Sequence, residues 1–184
     1  MTSVKRTHLE LLSPGAFRPS IRSPTDVTVM QAVLPSPELN RFLYAAVGAE
    51  YHWNDRLPWS WSEWMAWLAR PGVETWVAYQ SGTPAGYFEL EAQDGGNVEI
   101  VYFGLLPAFI GRGLGGYLLT QAVQRAFAMR PDIRRVWLHT CTLDHPGGLA
   151  GYRAHGFSTF KEEDIDVTLS ETPTDPWPGA ERPR

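Results

Sequence analysis

Hydrophobic and polar residues recur along the middle of the chain with two different periods, one typical of strands and one typical of helices. The run TDVTVMQAV at 25–33 is β-branched and alternating, which predicts a strand. Two helices follow it, and in the second one Trp61, Trp64 and Leu68 fall on a single face. Short SGTP and DGG turns separate the next three strands, so we expect a mostly antiparallel sheet. The predicted elements in chain order are strand 25–33, helix 36–48, helix 60–70, strands 73–80, 85–92 and 97–106, helix 116–127, strand 134–140, helix 147–155 and a last strand within 158–169.

Proline sets both ends of the chain apart from this middle part. Three prolines fall in residues 1–24, and four more fall in residues 170–184. Proline lacks a backbone donor and has a fixed φ, so such stretches favour irregular structure. We therefore predict an irregular N-terminal segment over 1–24, one folded α/β domain over 25–169 and a Pro-rich tail over 170–184.

The overall composition narrows the class of protein and its surroundings. The 184 residues carry 16 basic and 20 acidic side chains, a net charge of -4, and one cysteine. A chain of this length buries a sufficient core without disulfides, and a single cysteine cannot form an internal one, which favours a cytoplasmic location. The acidic balance and the lack of a dense Lys/Arg stripe argue against nucleic acid as a partner. No apolar run near the N-terminus is long enough for a signal or a membrane span, so we expect no membrane association. The sequence does not decide between a monomer and a homodimer.

A glycine-rich loop, GRGLGG at 111–116, stands between a predicted strand and a predicted helix. Glycines let backbone N–H groups approach phosphate oxygens, and a helix N-terminus adds positive potential, so the loop predicts a phosphate-bearing ligand. A Walker loop is excluded because its GxxxxGK spacing is absent. Gly111, Gly113 and Gly116 do satisfy the dinucleotide pattern GxGxxG, but the first glycine lies several residues past the strand and no acidic residue follows at the required distance. The alternative that the loop is only a tight turn capping the helix also remains.

The segment that contains this loop, residues 97–126, resembles the acyl-CoA-binding core of the GNAT superfamily of N-acetyltransferases. The loop pattern of that family, Q/R-x-x-G-x-G/A, falls on residues 110–115. Both required glycines, Gly113 and Gly115, are present. Ile110 stands where the family has Gln or Arg, so the side-chain contribution at that point is lost while the backbone N–H groups remain.

A second segment, residues 143–157, resembles the family's other cofactor motif. Tyr152, Gly156 and Phe157 fit that motif, whereas His145 stands where the family has Asn. The order of predicted elements, β-α-α-β-β-β-α-β-α-β, also agrees with the family. Two motifs in the right order and at the right separation are more specific than either one alone.

The resemblance implies a GNAT fold, with a central mixed, mostly antiparallel sheet flanked by about four helices. It implies that acetyl-CoA is the acyl donor, that no metal takes part, and that an acetyl group passes to a primary amine of a small molecule or peptide by direct attack. The cofactor contacts that it implies are Phe103, Gly104, Leu105, Leu106, Gly111, Arg112, Gly113, Leu114, Gly115, Gly116 and His145. Because Ile110 departs from the pattern, an acyl-CoA-binding regulatory domain without efficient catalysis stays as the alternative, and a dinucleotide-dependent oxidoreductase ranks third.

Two side chains are candidates for proton transfer. Tyr152 matches the family residue that protonates the departing CoA thiolate, and an ordinary phenol pKa near 10 suits that role. Glu99 matches the strand carboxylate that deprotonates the incoming amine in histone-acetylating members, often through water. Glu89 or Glu91 on the neighbouring strand could serve as the base instead. The resemblance also implies that the backbone N–H near Leu105 polarises the thioester carbonyl. The structural alternatives are that Tyr152 only packs its helix and that Glu99 faces solvent.

The run from His139 to His145 includes Cys141 and invites a metal or thiol interpretation. His139 and Cys141 are expected on the same face of one strand. Their spacing is not that of a common zinc motif, and no second signature supports a catalytic thiol. We therefore predict no metal site, and His145 is assigned to the cofactor region.

Tryptophan is concentrated in one part of the chain, because six of the eight fall between Trp53 and Trp76. In the family that the chain resembles, the first two helices and their connection form the acceptor-binding wall. Aromatic rings make a rigid apolar surface that also attracts a cation. We predict that Trp61, Trp64 and Trp67 mostly pack the second helix on the sheet. The residues before that helix are the better pocket candidates, and among them we predict that Tyr51, His52, Trp53 and Trp59 bind the acceptor; the other candidates are Asn54, Asp55 and Arg56.

Overall fold

A computed structural model describes residues 2–22 and 24–167 of the chain. The strands are β1 (Thr2–Leu11), β2 (Val27–Gln31), β3 (Val73–Gln80), β4 (Thr83–Gln93), β5 (Asn97–Leu105), β6 (Arg135–Cys141) and β7 (Ser158–Val167). The α-helices are α1 (Pro37–Gly48), α2 (Trp61–Leu68), α3 (Leu114–Ala128) and α4 (Gly148–Ala154). The strands form one sheet in the order β2-β3-β4-β5-β6-β1-β7, in which only β5 and β6 run parallel. The predicted fold class is confirmed, while the predicted tail over 170–184 lies outside the described residues.

The first strand occupies a place that the proline pattern did not predict. Residues 1–24 were expected to be irregular, and this expectation is wrong for Thr2–Leu11, which pairs with β6 on one side and β7 on the other. Val4, Leu9 and Leu11 are buried, and all three prolines of the segment come after the strand. Both partner strands lie at the far end of the chain, so no local turn accompanies β1 as it would in a hairpin.

Helices α1 and α2 cover one face of the sheet above β3, β4 and β5. Side-chain hydroxyls begin both helices, because Ser36 accepts from the N–H of Leu39 at 3.3 Å and Ser60 forms a capping box with Glu63. The buried apolar residues that the two helices contribute include Leu43, Val47, Trp64 and Leu68. On this face, β6, β1 and β7 lie outside the area that the two helices cover.

Helix α3 covers the opposite face and forms the main core. Its apolar stripe packs with residues of β4, β5, β6 and β1, and the stripe consists of Leu118, Leu119, Ala122, Val123 and Ala126. Leu9 and Leu11 of β1 belong to the same core. Because side chains alternate along a strand, the even-numbered residues of β1 point to the α1/α2 face of the sheet.

A β-bulge in β5 opens the centre of the sheet. Glu89 of β4 pairs with Tyr102 and Leu90 pairs with Ile100, which leaves Val101 as the extra residue on β5. β5 pairs with β6 only from Asn97 to Glu99, and the two strands separate after that point. The bulge also shifts the alternation, so Tyr102 packs toward α1 while Phe103 packs toward α3. The gap between the two strands is where the candidate site forms.

Candidate active site

A cavity of about 990 Å³ occupies the gap between β5 and β6. Its walls come from both strands, the glycine loop, the connection between α1 and α2, helix α4, and the ends of β1 and β7. This volume is typical of sites for small ligands and cofactors. The cavity therefore joins the two predicted halves of the site, the cofactor half and the acceptor half.

The glycine loop forms one end of the cavity and suits a phosphate-bearing ligand. Gly111 and Gly113 both have φ of 80°, a left-handed conformation that favours glycine, and Gly113 is the N-cap of α3. A Cβ added to Gly111 or to Gly115 would meet no atom within 4 Å, so open space lies beside this backbone. Unpaired N–H groups at the start of a 15-residue helix then face that space.

Arginine side chains lie beside this loop although Ile110 does not supply one. The Arg22 Nη1 atom lies 2.7 Å from the position of a Cβ built on Gly113. The segment that carries Arg22 is anchored by Ser20, whose N–H donates to Thr120 Oγ1 at 2.9 Å. The Arg112 guanidinium lies 5.1 Å from the ring centroid of Phe109 and does not line the cavity. Sequence analysis missed Arg22, because no motif marks a side chain in an irregular segment.

The strand-edge residues of the cofactor half divide into two groups. Phe103, Gly104 and Leu105 line the cavity, whereas Leu106 and Leu114 do not. The N–H of Leu106 donates to the carbonyl of Ala85 at 2.9 Å, so it is already used. A Cβ on Gly104 would lie 2.4 Å from Val47 Cγ1, which explains why glycine stands where β5 meets α1.

Tyr152 brings its phenol to the cavity from α4. Its ring packs between Phe103 and Phe157, with centroid separations of 6.2 Å and 5.9 Å. Burial, with a smaller contribution from the charge of Asp144, raises the pKa of Tyr152 above the ordinary value of 10. The hydroxyl therefore stays protonated at neutral pH, as a proton donor must be.

His145 and Tyr51 meet across the mouth of the cavity. Their ring centroids are 6.4 Å apart in an edge-on arrangement, so the predicted cofactor and acceptor halves touch here. The Nδ1 atom of His145 accepts from the N–H of Gly147 at 3.1 Å, which leaves Nε2 for a ligand. His145 stands where the family motif has Asn, and the hydrogen bond from Gly147 fixes the orientation of its ring.

Glu99 is half of a carboxylate–imidazole pair. Its side chain does not line the cavity, and its Oε2 accepts from Gln93 Nε2 at 3.0 Å. Its other oxygen lies 3.5 Å from His139 Nδ1, and His139 does line the cavity. The sequence predicted Glu99 as the base and did not predict the imidazole between it and the ligand space.

The two other carboxylates considered for the base are engaged elsewhere. Glu89 is 1% exposed and pairs with Arg56 at 2.8 Å, and Trp67 donates to it at 2.9 Å. Burial raises the pKa of the Glu89 carboxyl, and the neighbouring guanidinium opposes this effect. Glu91 pairs with Arg70. Neither carboxylate lines the cavity, so Glu99 is the member of the three that reaches it through a partner.

The predicted tryptophan wall is largely an internal cage around an arginine. The Arg56 guanidinium lies 4.6 Å from the ring centroid of Trp59 and 4.2 Å from that of Trp67. Tyr102 lies 4.6 Å away on another side, and Arg56 is only 4% exposed. Trp59 does not line the cavity, because it belongs to this cage. The cation that these rings attract is supplied by the protein itself.

The remaining acceptor residues do face the cavity, together with an aspartate. Tyr51, His52 and Trp53 line the cavity beside Asp55. Asp55 accepts from the hydroxyl of Tyr102 at 2.8 Å and also from the hydroxyl of Tyr44. Burial, to which Asp55 adds, raises the pKa of both phenols, so both remain donors. Within the described residues no Lys or Arg forms an ion pair with Asp55.

The cysteine and the acidic residue near it have structural partners. Asp144 accepts from the Thr140 hydroxyl at 2.7 Å and from the Cys141 N–H at 2.8 Å. Burial raises the pKa of the Cys141 thiol, which disfavours the thiolate needed for nucleophilic attack. Among residues 2–22 and 24–167, no group of three potential ligands lies close enough to hold a metal ion.

A comparison with protein-family models agrees with this fold. The model of the acetyltransferase (GNAT) family matches residues 38–157, a region that includes both cofactor motifs. The chain belongs to the GNAT acetyltransferase family. GNAT enzymes use acetyl-CoA as the acyl donor.

Solved structures share this fold at low sequence identity. A GCN5-related N-acetyltransferase from Kribbella flavida is 21% identical, with a TM-score of 0.58, over 84% of this chain and 54% of that one. A second one, from Sphaerobacter thermophilus, is 16% identical, with a TM-score of 0.61, over 92% and 56% of the two chains. An aminoglycoside acetyltransferase from an uncultured soil metagenomic sample, in complex with trehalose, is 13% identical, with a TM-score of 0.62, over 79% and 96%.

These similarities show the fold, and the chain spans about half the length of the first two proteins. No curated protein sequence matches the chain. None of the described helices is long and apolar enough to cross a membrane.

Proposed function

We propose that this GNAT protein is an N-acetyltransferase that moves an acetyl group from acetyl-CoA to a primary amine of a small molecule or peptide. The observation that carries the proposal is the cavity between β5 and β6. The glycine loop, the phenol of Tyr152 and the imidazole of His139 all face this one space. A phosphate cradle, a proton donor and a proton acceptor are the groups that acyl transfer to an amine requires.

The donor side uses backbone more than side chains. The N–H groups of residues 111–116 would hold the pyrophosphate of acetyl-CoA, and Arg22, which lies beside Gly113, would supply positive charge in place of the side chain that Ile110 lacks. The edge of β5 from Phe103 to Leu105 is free of β6, so an extended pantetheine arm can pair with it as an added strand. His145 Nε2 remains available where the cofactor half meets Tyr51.

Acetyl transfer then requires one bond to form and one to break. The neutral nitrogen of the acceptor bonds to the thioester carbon, and the carbon–sulfur bond breaks. The backbone N–H near Leu105 stabilises negative charge on the carbonyl oxygen. An acceptor that arrives as an ammonium first gives one proton to solvent, and the nitrogen gives a second proton to the base once it has attacked. The thiolate gains one proton from the Tyr152 hydroxyl, which solvent then replaces. The products are an acetamide and free CoA.

The base role is assigned to Glu99 acting through His139. His139 faces Glu99 with Nδ1, so Nε2 is the ring nitrogen that remains for the proton of the acceptor. The carboxylate fixes the ring and stabilises the imidazolium that forms. Glu99 is in this scheme a positioning residue and His139 the group that touches the substrate.

The acceptor side attracts a cation before the reaction. Asp55 presents a carboxylate held by two phenols, and no Lys or Arg among the described residues forms an ion pair with it. An ammonium group is drawn to such a carboxylate, and Tyr51, His52 and Trp53 enclose the organic part of the acceptor. A primary amine with a compact organic group suits this wall.

Thermal unfolding and CoA release test the proposal together. Acetyl-CoA should raise the Tm of the protein in a concentration-dependent way, and NAD should not. With a panel of primary amines, free CoA should appear faster than the hydrolysis measured without amine. Binding of acetyl-CoA without CoA release for any amine would favour the regulatory alternative, and stabilisation by NAD alone would favour an oxidoreductase.

A further inference from the structure

The floor of the acceptor half is a stretch of sheet that no helix of the α1/α2 layer covers. β6, β1 and β7 form it, and the side chains that line the cavity there are Val4, Arg6, His139, Cys141, Ile165 and Val167. His8 contacts both Trp137 and His139 on this face, with centroid separations of 6.1 Å and 5.7 Å. Arg6 lies two residues from His8 on the same strand and therefore shares its face.

Arg6 is a cation without a partner in this floor. Its Nε atom is buried and forms no hydrogen bond, and no described carboxylate lies within 4.0 Å of its guanidinium. Glu163 is opposite Arg6 in the register of β1 and β7, but it is engaged by His8 at 2.8 Å and by Lys161 at 2.6 Å. A buried guanidinium nitrogen without an acceptor is costly, so a ligand that supplies one gains affinity.

The surroundings of Arg6 favour an anion that belongs to the acceptor. Val4, Ile165 and Val167 make this end of the cavity apolar, which strengthens an ion pair formed there. The glycine loop begins α3, and α3 packs on the opposite face of the sheet from Arg6. The proposed binding site for the phosphates of acetyl-CoA, the glycine loop, therefore lies on the other face of the sheet. The planar fork of a guanidinium matches the two oxygens of a carboxylate.

We propose that Arg6 binds a carboxylate of the acceptor, so that the substrates of this site are amines that carry an anionic group, such as amino acids. This inference rests on the proposed acetyl transfer. Arg6 pairs in register with Cys141, two residues beyond His139 on the neighbouring strand. Strand spacing and rise put the Cα atoms of Arg6 and His139 about 8 Å apart. An amine at His139 and a carboxylate at Arg6 then fit one small molecule.

A series of paired acceptors tests the proposal. The pairs are ω-amino acids of two to six carbons and n-alkylamines of the same length, assayed by CoA release. We expect a lower KM for the amino acid at one or two chain lengths, and Arg6→Gln should raise that KM about 10- to 100-fold. The KM of the matching alkylamine should change less than twofold. Arg6→Lys, which keeps the charge without the fork, should fall between.

The control variant is Lys5→Gln, which removes one positive charge from the neighbouring exposed position, where Lys5 lies 4.0 Å from Glu162. This variant should leave the KM of both the amino acid and the alkylamine of each pair unchanged. If amines react but the carboxylate gives no advantage in any pair, the inference about Arg6 is wrong while the proposed function stands. A preference for phosphorylated amines over carboxylated ones would also overturn it. If no amine reacts, the proposed function itself fails. The Tm of Arg6→Gln, measured alone and with the preferred amino acid, checks folding and binding without turnover.

Discussion

Proton transfer in this site depends on which side-chain atoms reach the cavity. Tyr152 reaches it with a hydroxyl whose pKa is raised by burial, and His139 reaches it with a ring that Glu99 holds from behind. Asp55 reaches it as a carboxylate that two phenols keep in place. The proposed acid, the proposed base and the carboxylate proposed to attract the acceptor therefore come from α4, β6 and the α1–α2 connection.

Replacing Tyr152 by Phe should lower kcat about 100- to 10,000-fold, because the thiolate then leaves without a proton donor. The ring still packs between Phe103 and Phe157, so the Kd for acetyl-CoA should change less than about twofold. Steady-state CoA release and calorimetric titration measure the two quantities. Tyr117→Phe, a residue of α3 outside the cavity, is the matched control. Equal turnover in the Tyr152 variant would remove this phenol from the mechanism.

A double-mutant cycle on Glu99 and His139 tests whether the two act as one unit. Glu99→Gln and His139→Gln should each lower kcat, and the double variant should be no slower than the slower single one, because both changes disable the same proton transfer. Glu91→Gln removes the other carboxylate bound by Gln93 and should leave kcat near that of the unchanged protein. Additive effects of the two changes would show that Glu99 does not act through His139.

At the scale of elements, the sequence predicted types and order better than it predicted contacts. Nearly every strand and helix from 25 onward was found, because each has a clear period and a turn at its end. Trp59 was assigned to the acceptor because aromatic rings attract cations, but the attracted cation is Arg56, and sequence distance does not show which charge fills a cage. The bulge at Val101 was likewise invisible, since it depends on the register between β4 and β5. A regular two-residue alternation along β5 would put Glu99 and Val101 on the same face of the sheet. The bulge at Val101 interrupts this alternation.

The glycine turn before α3 offers a test in which strain and ligand binding separate. Gly111 and Gly82 have nearly the same φ, 80° and 81°, and neither has an atom within 4 Å of an added Cβ. Alanine at either position should cost about 1–2 kcal/mol of folding free energy through the left-handed conformation. Only Gly111→Ala should weaken the binding of acetyl-CoA, by about tenfold, because the alanine methyl group would enter the space proposed for the phosphates. Chemical denaturation measures the folding free energy and titration measures the Kd for acetyl-CoA. Equal affinity of the two variants for acetyl-CoA would show that the glycine loop does not bind it.

At the scale of the whole molecule, the sheet depends on a strand that the sequence did not reveal. β1 lies between β6 and β7, so β7 is joined to the rest of the sheet only through β1. The prolines of 1–24 led to the prediction that the whole segment is irregular, but all three prolines follow the strand. Arg6 and Val4, which line the cavity, could not be placed in the site without this pairing.

Truncation of Leu9 measures how much β1 contributes to the stability of the fold. Leu9 is fully buried in the main core, so Leu9→Ala should lower the free energy of unfolding by about 2–5 kcal/mol. Leu12, just beyond the strand, is 62% exposed, and Leu12→Ala should change it by less than about 0.5 kcal/mol. Urea unfolding of the two variants gives the comparison. A loss at Leu9 no larger than that at Leu12 would show that β1 is not part of the cooperative unit.

The position of β1 also has a consequence during protein synthesis. Its partners begin at Arg135 and Ser158, so the ribosome must add more than a hundred residues before either is available. At a translation rate of about 5–20 residues per second, the wait is on the order of ten seconds. During that time the segment Thr2–Leu11 lacks both partner strands, so the side chains of Val4, Leu9 and Leu11 cannot yet be buried in the sheet and its backbone edges stay unpaired.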